Sequence, residues 1–472
     1  MASDDWFEDN DPMKSGEQND EEFRRFRETL KNEGKDINSP EALEEIMLFY
    51  FDHEKFSEAM KFCDRLLSFE PFSADAWQRK GMILNNLNKY EEALDAYEKA
   101  LSLNPTDPEI FINRGVTYDN LNRTDDAMHS FDLALELEPD HEDARFHKGV
   151  TLEKLERFDD AIAIFNQIVH ENPEAADAWY ELGYCYDFLD KFEDSIRCYE
   201  RHLDDEPYNY NAWYNRGIVM NRMGNFAKSI DSYEMALAIR EDFPSAWYNM
   251  GNAFANLGKL DEAIRCYERT LHLDKNDVPA LHNLGNAYEE LGEFQKAIDC
   301  FTKAVELDKK HYESYFGRGC CYDAIEKSLL ALQDYTTALT INPDYPELWY
   351  ARADAEYNLG KLDDCIASYE TVLKLDPKNS EAWFDYGDTL FEMGNLLSSL
   401  KALDKSIELT PKFALAYFSR GKALVSMANL TEAAESFAKA FDLEPEFKKD
   451  FVALFPELVG NNLFKRLLLA PQ

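Results

Sequence analysis

What this chain lacks narrows its chemistry first. Its eight cysteines include no CxxC pair and no spacing that suggests a disulfide framework, so neither a zinc ribbon nor a disulfide scaffold is in view. There is no GxGxxG or GxxxxGKS/T loop to cradle a phosphate, and no GxSxG elbow to present a nucleophilic serine. The nine histidines are scattered; His141 and His147, six apart, lack metal-ligand spacing. Positive charge is scarce: 50 Lys and Arg stand against 92 Asp and Glu, a formal net charge of −42. That balance repels nucleic acid and anionic membrane surfaces, and suits basic partners as well as simple solubility. No apolar run reaches membrane-spanning length, and the amino-terminal MASDDWFEDNDP shows no basic stretch followed by an apolar one. The expectation is a protein that is not an enzyme. It has no catalytic residues, metal or cofactor, and no nucleic-acid contact or membrane insertion. A reducing cytoplasm fits its unpaired thiols.

What is present is repetition. In WYNMGNAFANLGKLDEAIRCYERTL, Trp247, Met250, Gly251 and Phe254 share one helix face at i, i+3, i+4 and i+7. Leu257-Gly258-Lys259 breaks that helix, and Ala263, Tyr267 and Thr270 mark the face of a second. The unit is a helical hairpin of 34 residues. It recurs without insertion from starts at 40, 74, 108, 142, 176, 210, 244, 278, 312, 346, 380 and 414. A length of 472 residues would suit about three ordinary domains, but a repeat array has no single core to divide.

Position 4 of the unit is mostly aromatic, as at Trp77, Phe111, Trp179, Trp213, Trp247, Trp349 and Trp383, with Arg145 as a departure. Position 8 is glycine in ten of the twelve units, with Met47 and Ala353 as the exceptions. Position 24 is Tyr or Phe except at Cys63 and Leu403. This chain strongly resembles the tetratricopeptide repeat family on those positions. The resemblance implies an all-α fold, a right-handed superhelical α-solenoid of tetratricopeptide hairpins. It covers residues 40–447.

The remaining segments read as flanks. Residues 1–19 are acidic and polar, which predicts disorder; Trp6-Phe7 within them suits a docking motif or an anchor onto the first repeats. Residues 20–39 read as a capping helix, with Phe23, Phe26 and Leu30 on one face, and a linker. Residues 448–472 read as two short capping helices; the alternative is that Phe464 to Leu469 enters a second copy and makes a homodimer. Position 32 is usually proline, but Glu241, Lys275 and Lys309 break that rule, which predicts longer second helices or looser turns there. Arg114, Arg216, Arg318 and Arg420 stand at position 7, and Arg318 is expected to pair with Asp334.

The resemblance also implies a binding face. In this family positions 2, 5, 6, 9, 12 and 13 of the first helices line the concave groove. Here Tyr214, Tyr248 and His282 hold position 5, Asn215, Asn249 and Asn283 position 6, and Asn252 and Asn286 position 9. Amides beside aromatics suit an extended peptide, since Asn can pair with backbone N–H and C=O whatever the ligand's side chains. The family's dicarboxylate clamp needs lysine at position 5, which never occurs here, and position 2 is mostly acidic. The expected function is a protein-binding scaffold or adaptor that holds an extended basic segment of a partner in the groove. The alternative is a structural subunit or homodimer meeting its neighbour through the convex face or the C-terminal helices.

Overall fold

A computed structural model describes residues 39–469. The expectations for residues 1–19, for the helix within 20–39 and for Trp6-Phe7 lie outside the described residues. The protein is an all-α solenoid of helical hairpins, with no strand among the described residues. It divides into two compact units, up to Met223 and from Gly224. The first holds five hairpins, from Pro40–Asp52 with Phe56–Phe69 to Ala176–Phe188 with Phe192–Asp205, and then the helix Tyr210–Arg222. The second starts with Phe226–Ile239. Six hairpins follow, from Pro244–Asn256 with Leu260–Leu273 to Ala414–Ser426 with Leu430–Leu443, and then Phe447–Leu454, a 3-10 turn and Asn462–Leu469.

Most hairpins are built around one contact. The position-24 aromatic lies against the backbone of a position-8 glycine with no room for a Cβ, which on Gly81 would sit 2.4 Å from the Tyr97 ring; repeat ten departs, with Ala353 opposite Tyr369. Tyr97, Phe131, Phe165, Tyr199, Tyr267, Phe301 and Tyr335 are all essentially buried. Burying such a ring contributes about 1.5–3 kcal/mol. The turn between the paired helices places position 15 in the left-handed region, at φ of 55–78° in all twelve repeats. Glycine serves there in five of them. Glu54, Asn88, Asn122, Glu156, Asp190, Glu326 and Ala428 accept the strained conformation.

The structure gives position 4 a polar duty as well as an apolar one. Each of its tryptophans donates its indole N–H to the position-32 carbonyl six residues back: Trp77 to Pro71 at 3.0 Å, Trp179 to Pro173 at 3.0 Å, Trp213 to Pro207 at 3.0 Å. Trp247, Trp349 and Trp383 do the same to Glu241, Pro343 and Pro377. Arg145 performs the equivalent task with its guanidinium. Nη2 donates to the Asp140 carbonyl at 2.8 Å while both terminal nitrogens hold Glu171.

The expectation of longer helices where proline is missing is overturned. Phe226–Ile239, Leu260–Leu273 and Phe294–Leu307 have 14 residues like every other second helix, and stop at the same register. Two of the three stops have a visible cause. The Asp274 and Asp308 carboxylates accept from the N–H groups of Asn276 and Lys310 at 2.9 and 2.8 Å, closing Asx turns of the kind that Asn172 and Asp376 also close beside Pro173 and Pro377.

The C-terminal helices close the last hairpin within the chain. Phe451 and Phe464 are fully buried, with ring centroids 4.8 and 6.1 Å from that of Phe437. Phe464, the proposed anchor of a homodimer, is thus taken by its own core. Arg318 forms the expected bidentate pair with Asp334, at 2.7 Å for each bond.

Candidate protein-binding face

In both units the first helices of successive repeats touch one another more extensively than the second helices do. The first helices therefore line the inner side of each array, where their positions 5, 6, 9 and 12 meet. The sequence-predicted residues divide between the units: Tyr214 and Asn215 fall in the first, the other six in the second.

The asparagines are engaged with the scaffold. Asn215 donates to the Tyr180 hydroxyl at 2.8 Å, joining position 6 of one repeat to position 5 of the repeat before. Asn283 makes the same bond to Tyr248 at 3.1 Å, and its Nδ2 also donates to Asn252 Oδ1 at 2.9 Å. Asn252 Oδ1 takes a further bond from the Tyr267 hydroxyl at 2.8 Å. Both N–H groups of Asn283 are thus spent on bracing two repeats together. Tyr214 and Asn249 are half-buried. His282 bonds Ser314 Oγ through Nδ1 and Asn286 Nδ2 through Nε2, both at 3.1 Å. Burial, then the nearby His311, pushes its pKa down to about 4, so the ring is neutral at pH 7.

Sequence reasoning missed a second arrangement on the same face. In repeats ten and eleven, Asp354 and Asp385 hold the places of Asn252 and Asn283. Tyr369 donates to Asp354 at 2.6 Å, and Tyr350 donates to Asp385. Burial first, then the charge of Asp385, pushes Asp354 up to about 6; burial likewise raises Asp385. Burial also raises Glu289 and Asp323, which occupy position 12 in repeats eight and nine. In the first unit burial raises Glu153 and Glu181, with Glu181 adding to the first and Asp177 to the second. A position-by-position comparison of repeats would have shown the Asn-to-Asp exchange. The abundance of acids hid it.

Among the described residues one group has metal-ligating atoms within 4.8 Å of one another: Glu109, His141 and Asp143. His141 Nε2 already bonds Glu109 at 3.1 Å, and its Nδ1 is buried without a partner. A metal-bound imidazole needs a second-shell acceptor for its other nitrogen, so the trio reads as a polar edge.

Family profiles described as tetratricopeptide repeat match residues 74–107, 96–129, 152–215, 242–310, 282–346, 350–412 and 414–447, and one described as TPR repeat matches 221–258. No curated protein matches the chain. Among solved structures, YrrB, titled a TPR protein with an unusual peptide-binding site, is 24% identical, over 40% of this chain and 96% of its own, with a TM-score of 0.37. Cut9-Hcn1, an APC/C hetero-tetramer, is 15% identical over 92% and 97%, with a TM-score of 0.41. MamA from Desulfovibrio magneticus RS-1 is 21% identical over 36% and 96%, with a TM-score of 0.35.

Proposed function

This chain belongs to the tetratricopeptide repeat family, and from that premise we propose that it is a non-enzymatic scaffold or adaptor. Its inner face holds an extended, basic segment of another protein. One observation carries the reading: Asp354 and Asp385 are half-buried carboxylates whose hydrogen-bond donors are tyrosine hydroxyls and not bases. Such carboxylates hold uncompensated charge at a low-dielectric surface, where a lysine or arginine of a ligand gains more than it would in open water. Tyr248, Asn249, Asn252, His282, Asn283 and Asn286 extend the face toward the amino end of the second unit, and Tyr214 with Asn215 is the corresponding wall in the first. The net charge of −42 steers basic partners in and keeps nucleic acid out. All eight cysteines are free and seven are buried, which supports a reducing cytoplasm. Among the described residues no helix is long and apolar enough to cross a membrane.

A second reading, contact with a neighbouring subunit through the C-terminal helices, draws on Leu463 and Leu469, which are 44% and 73% exposed.

The test is capture from native lysate at low and high salt with the parent chain and with Asp354→Asn/Asp385→Asn, followed by cross-linking to locate contacts. Partners that are released by salt, lost from the variant, and cross-linked through basic segments to residues 248–392 support the reading. Capture that is unchanged in the variant and insensitive to salt overturns it.

A further inference from the structure

The first three repeats hold a cavity of about 310 Å³ wholly within the first unit. Its floor is apolar: Leu48 and Phe51 from Pro40–Asp52, Met82 and Ile83 from Ala74–Asn86. The volume is at the lower end of the ~300–1,000 Å³ range of ligand pockets and suits one bulky side chain with its flanks. Leu48, Phe51 and Met82 are only half-buried, so the cavity opens outward on the inner face.

The rim is polar and its charge is one-sided. Arg79 is already paired with Glu44 at 2.9 Å. Glu109, which lines the cavity, is exposed and belongs to the edge it shares with His141 and Asp143. Among the described residues neither Glu109 nor Asp143 has a lysine or arginine partner; the ion pair Glu109 makes is with the imidazole. A ligand side chain in the cavity therefore lies beside two carboxylates that lack a cation.

The geometry points to a second docking site, distinct from the face formed by the second unit. The cavity takes a bulky apolar side chain of an extended partner peptide, and Glu109 with Asp143 takes a lysine or arginine beside it. Because Glu109 belongs to both, the two ligand residues stand next to each other or one apart, at about 3.3 Å per extended residue. Residues 23–38 of the chain, with Arg24, Arg25 and Arg27 beside Phe23 and Phe26, share this chemistry and are the intramolecular alternative that the test decides; the residues before them are poor occupants by charge. Residues 1–22 carry nine acids, Asp4, Asp5, Glu8, Asp9, Asp11, Glu17, Asp20, Glu21 and Glu22, against Lys14 alone. An acidic segment at this edge is repelled, whereas the ion pair with a basic one fixes the register.

The probe is a set of fluorescein-labelled nonapeptides in a Gly-Ser background. Each has one Leu, Phe, Met or Ser and one neighbouring Lys, Ser or Glu, and is titrated by anisotropy into the full chain. Apolar-plus-Lys peptides are expected to bind at least about tenfold tighter than Ser-plus-Lys or apolar-plus-Glu peptides. Leu48→Arg, which fills the cavity, removes that binding. The exposed Glu109→Lys, which leaves the floor intact, shifts preference from Lys to Glu. Leu397→Ser, at an exposed position of the second helix Leu396–Leu409, leaves both unchanged. Absence of any apolar-plus-Lys preference overturns the proposal, as does retention of it in both Leu48→Arg and Glu109→Lys, or its loss in Leu397→Ser. A gain of about tenfold or more in Phe23→Ser/Phe26→Ser or in Trp6→Ala/Phe7→Ala would assign the cavity to the chain's own amino-terminal segment and overturn it as well.

Discussion

Two clusters in the second unit share one geometry and differ in one chemistry. In repeats seven and eight, Tyr267 donates to Asn252, and Asn283 donates to both Tyr248 and Asn252. In repeats ten and eleven the same four positions hold Tyr369, Asp354, Tyr350 and Asp385, and here both phenols donate inward, whereas Tyr248 accepts. An amide gives and takes, so the first cluster closes on itself. Two ionised carboxylates only accept, so the second cannot close, and its acids stay harder to ionise than usual. The same scaffold position can therefore stitch repeats together or present charge, depending on a single exchange of NH2 for O⁻.

The largest effect should come from making the closed cluster open. Asn252→Asp/Asn283→Asp removes the amide bond and sets like charges side by side at half-buried positions. It should cost about 2–3 kcal/mol at pH 7 in urea unfolding, most of it recovered on acidification. The converse, Asp354→Asn/Asp385→Asn, should stabilise by about 1–2 kcal/mol at pH 7. Asp354 has a folded pKa of about 6, above its ordinary 3.8. The folded chain thus binds the proton first, and this group's contribution is most favourable below about 3.8 and falls as pH rises through 6. The advantage of the Asn variant over the parent should accordingly vanish near pH 4, and its persistence there would sink the account. Binding of a basic ligand should run the other way, strengthening between pH 5 and 7.5 as the carboxylates ionise.

A smaller effect tests whether the two clusters rest on equivalent supports. Trp247→Phe and Trp349→Phe each delete one indole bond to a turn carbonyl and should cost about 1 kcal/mol each. Unequal costs would mean that the clusters differ beneath as well as at the surface. The smallest concerns the turn of repeat nine, between them. Repeats seven, eight, ten and eleven use Gly258, Gly292, Gly360 and Gly394 at positive φ, whereas Glu326 holds φ 59°. Glu326→Gly should raise stability by about 0.5–1 kcal/mol, and Gly258→Ala should lower it by about as much. A calorimetric melt would resolve both.

The hairpins and their register were legible because most repeats state the same steric requirement. In nine repeats a ring at position 24 meets a glycine at position 8, and both are visible sixteen residues apart. The pairing of Arg318 with Asp334 was legible for the same reason, since both lie within one hairpin. The engagement of Asn283 was not, because its partners Tyr248 and Asn252 lie 35 and 31 residues back, in another repeat. Helix ends at Leu273 and Leu307 were misjudged because the turn does not depend on proline: Asp274 and Asp308 close the same Asx turn that Asn172 and Asp376 close beside Pro173 and Pro377. Asp354 and Asp385 were invisible among 92 acids until their positions were matched to Asn252 and Asn283.

The indole bonds give the chain a built-in optical ruler. Every tryptophan among the described residues donates to a turn carbonyl six residues back. Six indoles therefore share one type of hydrogen bond, and in magnetic resonance each contributes one indole proton. As denaturant rises, the order in which those six protons are lost reads out which repeats open first. The number lost together measures how many hairpins move as one.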